Sequence, residues 1–131
     1  MSIAKNLETL HGALQPKDVT LVAVSKTKSI PEIQEAYDAG QRIFGEHNAQ
    51  ELVEKYESLP KDIEWHLIGH LQTNKVKYIA SFVHCIQSVD SLKLLKEINK
   101  HAQKHGRVIN CLLQVFIAEE STKFGLDHAE L

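Results

Sequence analysis

The chain has 131 residues, 43% apolar and 24% charged, with a formal net charge of −2. That length fits one ordinary domain with a real core, and the near-neutral balance gives no electrostatic reason to expect nucleic acid or an anionic membrane as partner. No apolar run approaches the ~20 residues of a membrane span.

The opening segment MSIAKNLETLHGALQP contains Glu8 and has neither the apolar block nor the cleavage pattern of a secretory signal. It predicts a helix over 2–15, with Ile3, Leu7, Leu10 and Leu14 on one stripe. Val19, Leu21, Val22, Ala23 and Val24 then read as a strand over 19–25, buried on both faces as in parallel sheets. "SIPE" (Ser29 to Glu32) has the form of a capping box with proline in the first helical turn, and Gly40 supplies the stop.

A short strand is expected around Ile43 and Phe44, followed by a turn at Gly45 and a helix to about Ser58, before Pro60. The next unit places a strand at 63–68, Gly69 after it, and a helix from about Gln72. The segment FVHCIQSVD supplies a fourth strand. The helix after it should carry Leu92, Leu95, Ile98 and Ala102 inward, with Gly106 beyond its end. RVINCLLQVFIA is a fifth strand, and EESTKFGLDHAEL reads as a loop and the start of another helix. Five strands alternating with helices define an α/β fold around a parallel sheet. Cys85 and Cys111 are far apart, form no CxxC pair and lie in strand-like segments, which suits reduced core thiols in a cytoplasmic protein.

Lys26 is the unusual residue. A buried strand should end in small or turn-forming residues, yet this one ends Ser25-Lys26-Thr27-Lys28. Ligands of parallel sheets collect at the carboxyl ends of the strands. A lysine held there between apolar walls would be less readily charged, and its amine could attack an aldehyde. A side chain that snorkels into solvent is the alternative. Glu46, His47 and Asn48 end the second strand and could face a ligand. His66 and His70 are four apart, but Gly69 breaks the segment, so they do not form the helical pair that binds zinc. His66 by itself reads as a satisfied core histidine. Lys123 and Gly125 could form an anion-friendly loop.

"LVAVSKTK", "FGEHNAQE", "EWHLIGHLQTNK", "SVDSLKLLKEIN" and "LLQVFIAEESTKFG", in this order and spacing, resemble the pyridoxal phosphate homeostasis proteins from about Val19 to Gly125. That family is similar to the barrel domain of alanine racemase. The resemblance implies a parallel (β/α) barrel of the TIM type, here truncated to about five βα units with an N-terminal helix, all within one incomplete domain over 1–131. It also implies pyridoxal 5′-phosphate (PLP) as cofactor, held as a Schiff base on Lys26, with His47 and His66 at the cofactor site. The implied role is to bind and buffer PLP in the cell and to deliver it to PLP-dependent apoenzymes, with no turnover and with the full-length protein a monomer. A racemase-like or Schiff-base aldolase-type enzyme is the alternative. Tyr37, Tyr56 and Tyr78 fall in helical patterns rather than at strand ends, which disfavours a racemase.

Two residues depart from the family pattern. His47 stands where FGEN has asparagine, the turn pointing Asn48 elsewhere, and Phe116 stands where QVN has asparagine and could pack against the cofactor ring. In the family the phosphate contacts come from later strands, and a barrel needs ~250 residues in the typical case. A five-strand piece is therefore expected to expose sheet edges and an apolar inner face, to self-associate, and to bind PLP poorly.

Overall fold

The computed structural model describes residues 2–115, 117, 125 and 126. Phe116 and Lys123, both singled out above, lie outside the described residues.

Helix α1 (Ile3–Leu14) starts at Ser2, whose hydroxyl accepts the Lys5 N–H at 3.1 Å. Leu7 is its buried residue, whereas Leu10, expected on the same stripe, is exposed. Strand β1 is only Ala23–Val24, shorter than the expected 19–25, and the exposure of Val24 in it and of Val19 before it contradicts burial on both faces. The reason is positional: β1 is an edge strand, and among the described residues nothing covers the face that carries Val24.

Helix α2 (Ile30–Asp38) has the expected capping box, with Ser29 and Glu32 each accepting from the other's backbone N–H. Gly40, just past its end, takes φ +105°, a conformation that favours glycine. Strand β2 spans Ile43–Glu46, so Gly45 lies inside it rather than in a turn. Helix α3 (Ala49–Ser58) begins at Asn48, whose Oδ1 accepts the Glu51 N–H at 2.8 Å. Strand β3 is Glu64–Leu67, after which a 3-10 turn at Thr73–Lys75 leads into the short α4 (Val76–Ile79).

Strand β4 is Cys85–Val89, and α5 (Leu92–Lys104) starts at the Ser91 cap. Leu94, Ile98 and Ala102 are the buried stripe of α5, with Leu95 half-buried; Leu92, expected inward, is exposed in the first turn. Strand β5 is Asn110–Leu113, continued by an isolated parallel bridge between Val115 and Leu126.

All pairings are parallel and the strand order is β1-β2-β3-β4-β5. Sequential order with crossovers of one hand puts the connecting helices on one face, the arrangement from which barrels rather than doubly wound sheets are made. The core lies between sheet and helices, where Phe44, Trp65, Leu67 and Ile86 meet Ile33, Leu52, Ile79, Leu94 and Ile98. Phe44 and Trp65 pack with ring centroids 5.8 Å apart.

Candidate functional site

Side chains alternate along a strand, so each strand divides between the helix-covered face and the helix-free face. In β2, Phe44 and Glu46 face the helices, and Ile43 and Gly45 face away. A Cβ on Gly45 would come within 3.1 Å of Val22 Cγ1 and 3.2 Å of Ile68 Cδ1, which puts Val22, Gly45 and Ile68 together on the helix-free face. Val24 pairs with Gly45 and stands on that face, and Lys26 follows two residues later, in the turn immediately past the carboxyl end of β1. Lys26 is exposed, and its amine has no hydrogen-bond or ion-pair partner among the described residues. It is not held between the expected apolar walls, because it stands exposed at the end of an edge strand.

The backbone around Lys26 is tightly held. The Ser25 N–H donates to the Gly45 carbonyl at 2.9 Å, and its hydroxyl donates to Glu46 Oε2. Lys55, from α3, donates to the Ser25 carbonyl at 2.7 Å, to Glu46 Oε2 at 2.8 Å and to Glu51 Oε1 at 2.7 Å. Glu51 Oε1 also accepts the Thr27 N–H at 2.8 Å. The Lys28 N–H donates to the Ser25 carbonyl at 3.0 Å, which closes Ser25–Lys28 as a β-turn. Its third residue, Thr27, takes φ +63°, a left-handed conformation that costs a β-branched residue about 1–3 kcal/mol. The Lys55 ammonium, followed by the Thr27 N–H, holds the Glu51 carboxyl below its ordinary value. Glu46 is fully buried beside Lys55 and does not face the mouth of the sheet, contrary to the sequence expectation.

His47 is exposed at the end of β2, and its ring and carbonyl lie against Gly69 at the end of β3. Asn48 caps α3, which engages its Oδ1. His66 sits half-buried on the helix-free face, its Nδ1 2.8 Å from Gln87 Nε2 and its ring 5.6 Å from that of His84. It is thus a partnered inner-face residue, not a core histidine. Burial, with the His84 imidazole second, pulls its pKa down. His70 pairs instead with Asp90, Nδ1 to Oδ2 at 3.0 Å, so His66 and His70 have separate partners. No group that could hold a metal ion occurs among the described residues. Cys85 and Cys111 are free, and burial raises both thiols.

His66 therefore stands on the helix-free face, His47 is at its carboxyl rim, and Lys26 is exposed in the turn past the carboxyl end of β1. The strands carry His66 and Gln87 to one side while keeping the hydrophobic core on the other. The residues that hold the Lys26 turn were missed by sequence reading. The Glu51–Lys55 spacing of four on α3 was a usable signal; nothing local marked Glu46 as their partner.

Residues 1–130 match the family described as alanine racemase, N-terminal domain, and the chain belongs to that family. Curated relatives are pyridoxal phosphate homeostasis proteins. That of Pasteurella multocida is 36% identical over 143 residues, covering 100% of this chain and 61% of the relative. That of Aquifex aeolicus is 43% identical over 112 residues, covering 85% of this chain and 49% of the relative. The chain thus spans about half to three-fifths of the length of these relatives. Among solved structures it is similar to PipY of Synechococcus elongatus PCC7942, at 40% identity and covering 99% of this chain. The form without PLP gives a TM-score of 0.91 over 61% of PipY, and the form with PLP bound gives 0.89 over 60%. Alanine racemase of Bartonella henselae, 20% identical with a TM-score of 0.73, shares the fold over 98% of this chain and 36% of its own. The expected barrel-type α/β architecture is thereby borne out.

Proposed function

We propose that this chain is the amine-bearing part of a PLP-binding protein of cofactor homeostasis, and that Lys26 is the residue that holds PLP covalently. The observation that supports the reading is the position of Lys26: an exposed amine without a partner among the described residues, just past the carboxyl end of a parallel strand and flanked by anchored backbone. The likeness to PipY, solved with PLP bound, supports it.

The residues present fit the aldehyde end of the cofactor. PLP would supply an electrophilic carbonyl carbon; the Lys26 amine would form a C=N bond with it, and the carbonyl oxygen would leave as water. His47 at the rim and His66 on the helix-free face are the proposed neighbours of the ring. Gln87 fixes the orientation of His66, and burial favours its neutral form. The family resemblance assigns the phosphate contacts to later strands, so residues 1–131 by themselves should hold PLP more weakly than micromolar.

The role is binding and delivery to PLP-dependent apoenzymes within one barrel domain, in the cytoplasm, with the full-length protein a monomer and with neither nucleic acid nor membrane as partner. Two free thiols suit a reducing compartment. No described helix is long and apolar enough to cross a membrane. Tyr37, Tyr56 and Tyr78 lie in α2, α3 and α4 rather than at strand ends, which disfavours each of them as a racemase acid/base opposite Lys26.

Borohydride trapping tests the assignment. The protein is incubated with PLP, reduced, digested and mapped by mass spectrometry. The adduct should sit on Lys26 and disappear in Lys26→Ala. An adduct that persists in that variant on Lys28, Lys75 or Lys123 overturns the assignment.

A further inference from the structure

We propose that Glu51 is a positioning residue for Lys26, and that it works by holding the Ser25–Lys28 turn, and so the backbone of Lys26, in one shape at the carboxyl end of β1. The proposal rests on the reading of Lys26 given above.

The turn is pinned on both sides of Lys26 by one ionic cluster. Upstream, the Ser25 carbonyl accepts from Lys55 and the Ser25 hydroxyl donates to Glu46. Downstream, the Thr27 N–H donates to Glu51 Oε1, and Lys55 bridges Glu46 and Glu51 at 2.8 and 2.7 Å. Lys26 is the only residue of the turn's central pair that the cluster leaves free. A positive φ at the third position is the mark of a type II turn, where glycine or asparagine is favoured and threonine is not. Released from Glu51, Thr27 would relax to a negative φ, reversing the peptide between Lys26 and Thr27 and changing the Lys26 ψ, and with it the rotamers open to its side chain. Fixing the Cα of a flexible lysine removes part of the orientational cost of its reaction with an aldehyde. Lys28 closes the turn through its N–H, but its side chain lies beside Glu32 and outside the ionic cluster, so it serves as an internal reference.

The experiment compares wild type, Glu51→Ala, Glu51→Gln and Glu51→Ala/Thr27→Gly. Each is treated with PLP and reduced with borohydride, whose hydride converts the C=N bond to a stable secondary amine, and adduct on Lys26 is measured relative to Lys28. Wild type should favour Lys26, and Glu51→Ala should lower the ratio by about tenfold. Glu51→Gln keeps an oxygen acceptor for the Thr27 N–H and should stay near wild type. Thr27→Gly makes the turn favourable without the clamp and should restore the ratio in the Glu51→Ala background, which a general effect on α3 stability would not allow. Amide exchange at Thr27 should quicken in Glu51→Ala and not in Glu51→Gln. A folded Glu51→Ala protein with the wild-type ratio, or failure of Thr27→Gly to rescue, overturns the proposal. No preference for Lys26 in wild type overturns the Lys26 reading itself, while Thr27 exchange still decides whether Glu51 holds the turn.

Discussion

Gly69 lies so close to His47 that a methyl group on it would overlap the His47 carbonyl oxygen and come within 2.7 Å of the ring Nδ1. Glycine is needed here for space rather than for its dihedral freedom. Gly69→Ala must move the end of β2 or the His47 ring, and should lower stability by about 1–3 kcal/mol in urea unfolding. A loss below about 0.5 kcal/mol would show that the two strand ends yield freely.

The buried Lys55–Glu46 pair should behave asymmetrically. Lys55→Met leaves the fully buried Glu46 carboxylate without its cation and takes one of two donors from the Ser25 carbonyl, at a cost of about 3–5 kcal/mol. Glu46→Gln in that background removes the uncompensated charge and should recover a large part of the loss. A double-mutant cycle with additive effects would contradict the pairing.

His66 makes stability depend on pH. Its folded pKa lies below the ordinary 6.5, because burial and then the His84 ring oppose its charge, with Glu64 opposing them. Between the folded value and the ordinary one, the unfolded state binds more protons, so stability rises with pH there. The His66 contribution is full above the ordinary value and is lost as pH falls through that window. Urea midpoints at about pH 7.5 and about pH 5.5 should differ more in wild type than in His66→Gln.

The helix-free face and the β5 edge expose Val24, Leu112, Leu113 and Val115, among the described residues. Apolar strands left open in this way drive association. Sedimentation velocity of the 131-residue chain should show concentration-dependent self-association, reduced in Val24→Lys/Leu113→Lys. Equal sedimentation of the two proteins would place the contact elsewhere.

Much of the fold was legible because it is written locally. Ser29 to Glu32 announced α2, Gly40 its end, and the spacing of β-branched runs announced five parallel strands. Boundaries were less legible where burial depends on a neighbour. Val19 to Val24 looks like a central strand, yet only two residues pair, because an edge strand has a partner on one side. Gly45 looked like a turn and lies inside β2, where its missing side chain makes room for Val22 and Ile68. Glu46 looked like a ligand residue because it follows a glycine near a strand end. One residue of register sends it to the opposite face, into the core.

By itself, the sequence determined the alternation of strands and helices, the helix caps and the position of Lys26 at a strand end, since all of these depend on residues a few places apart. Tertiary structure decided which face each side chain takes and who meets whom: Glu46 with Lys55, Thr27 with Glu51, His47 with Gly69, His66 with Gln87. Each pair joins a strand or its end to a different element. Contacts of that kind follow from strand register and helix docking, which no local pattern of residues encodes.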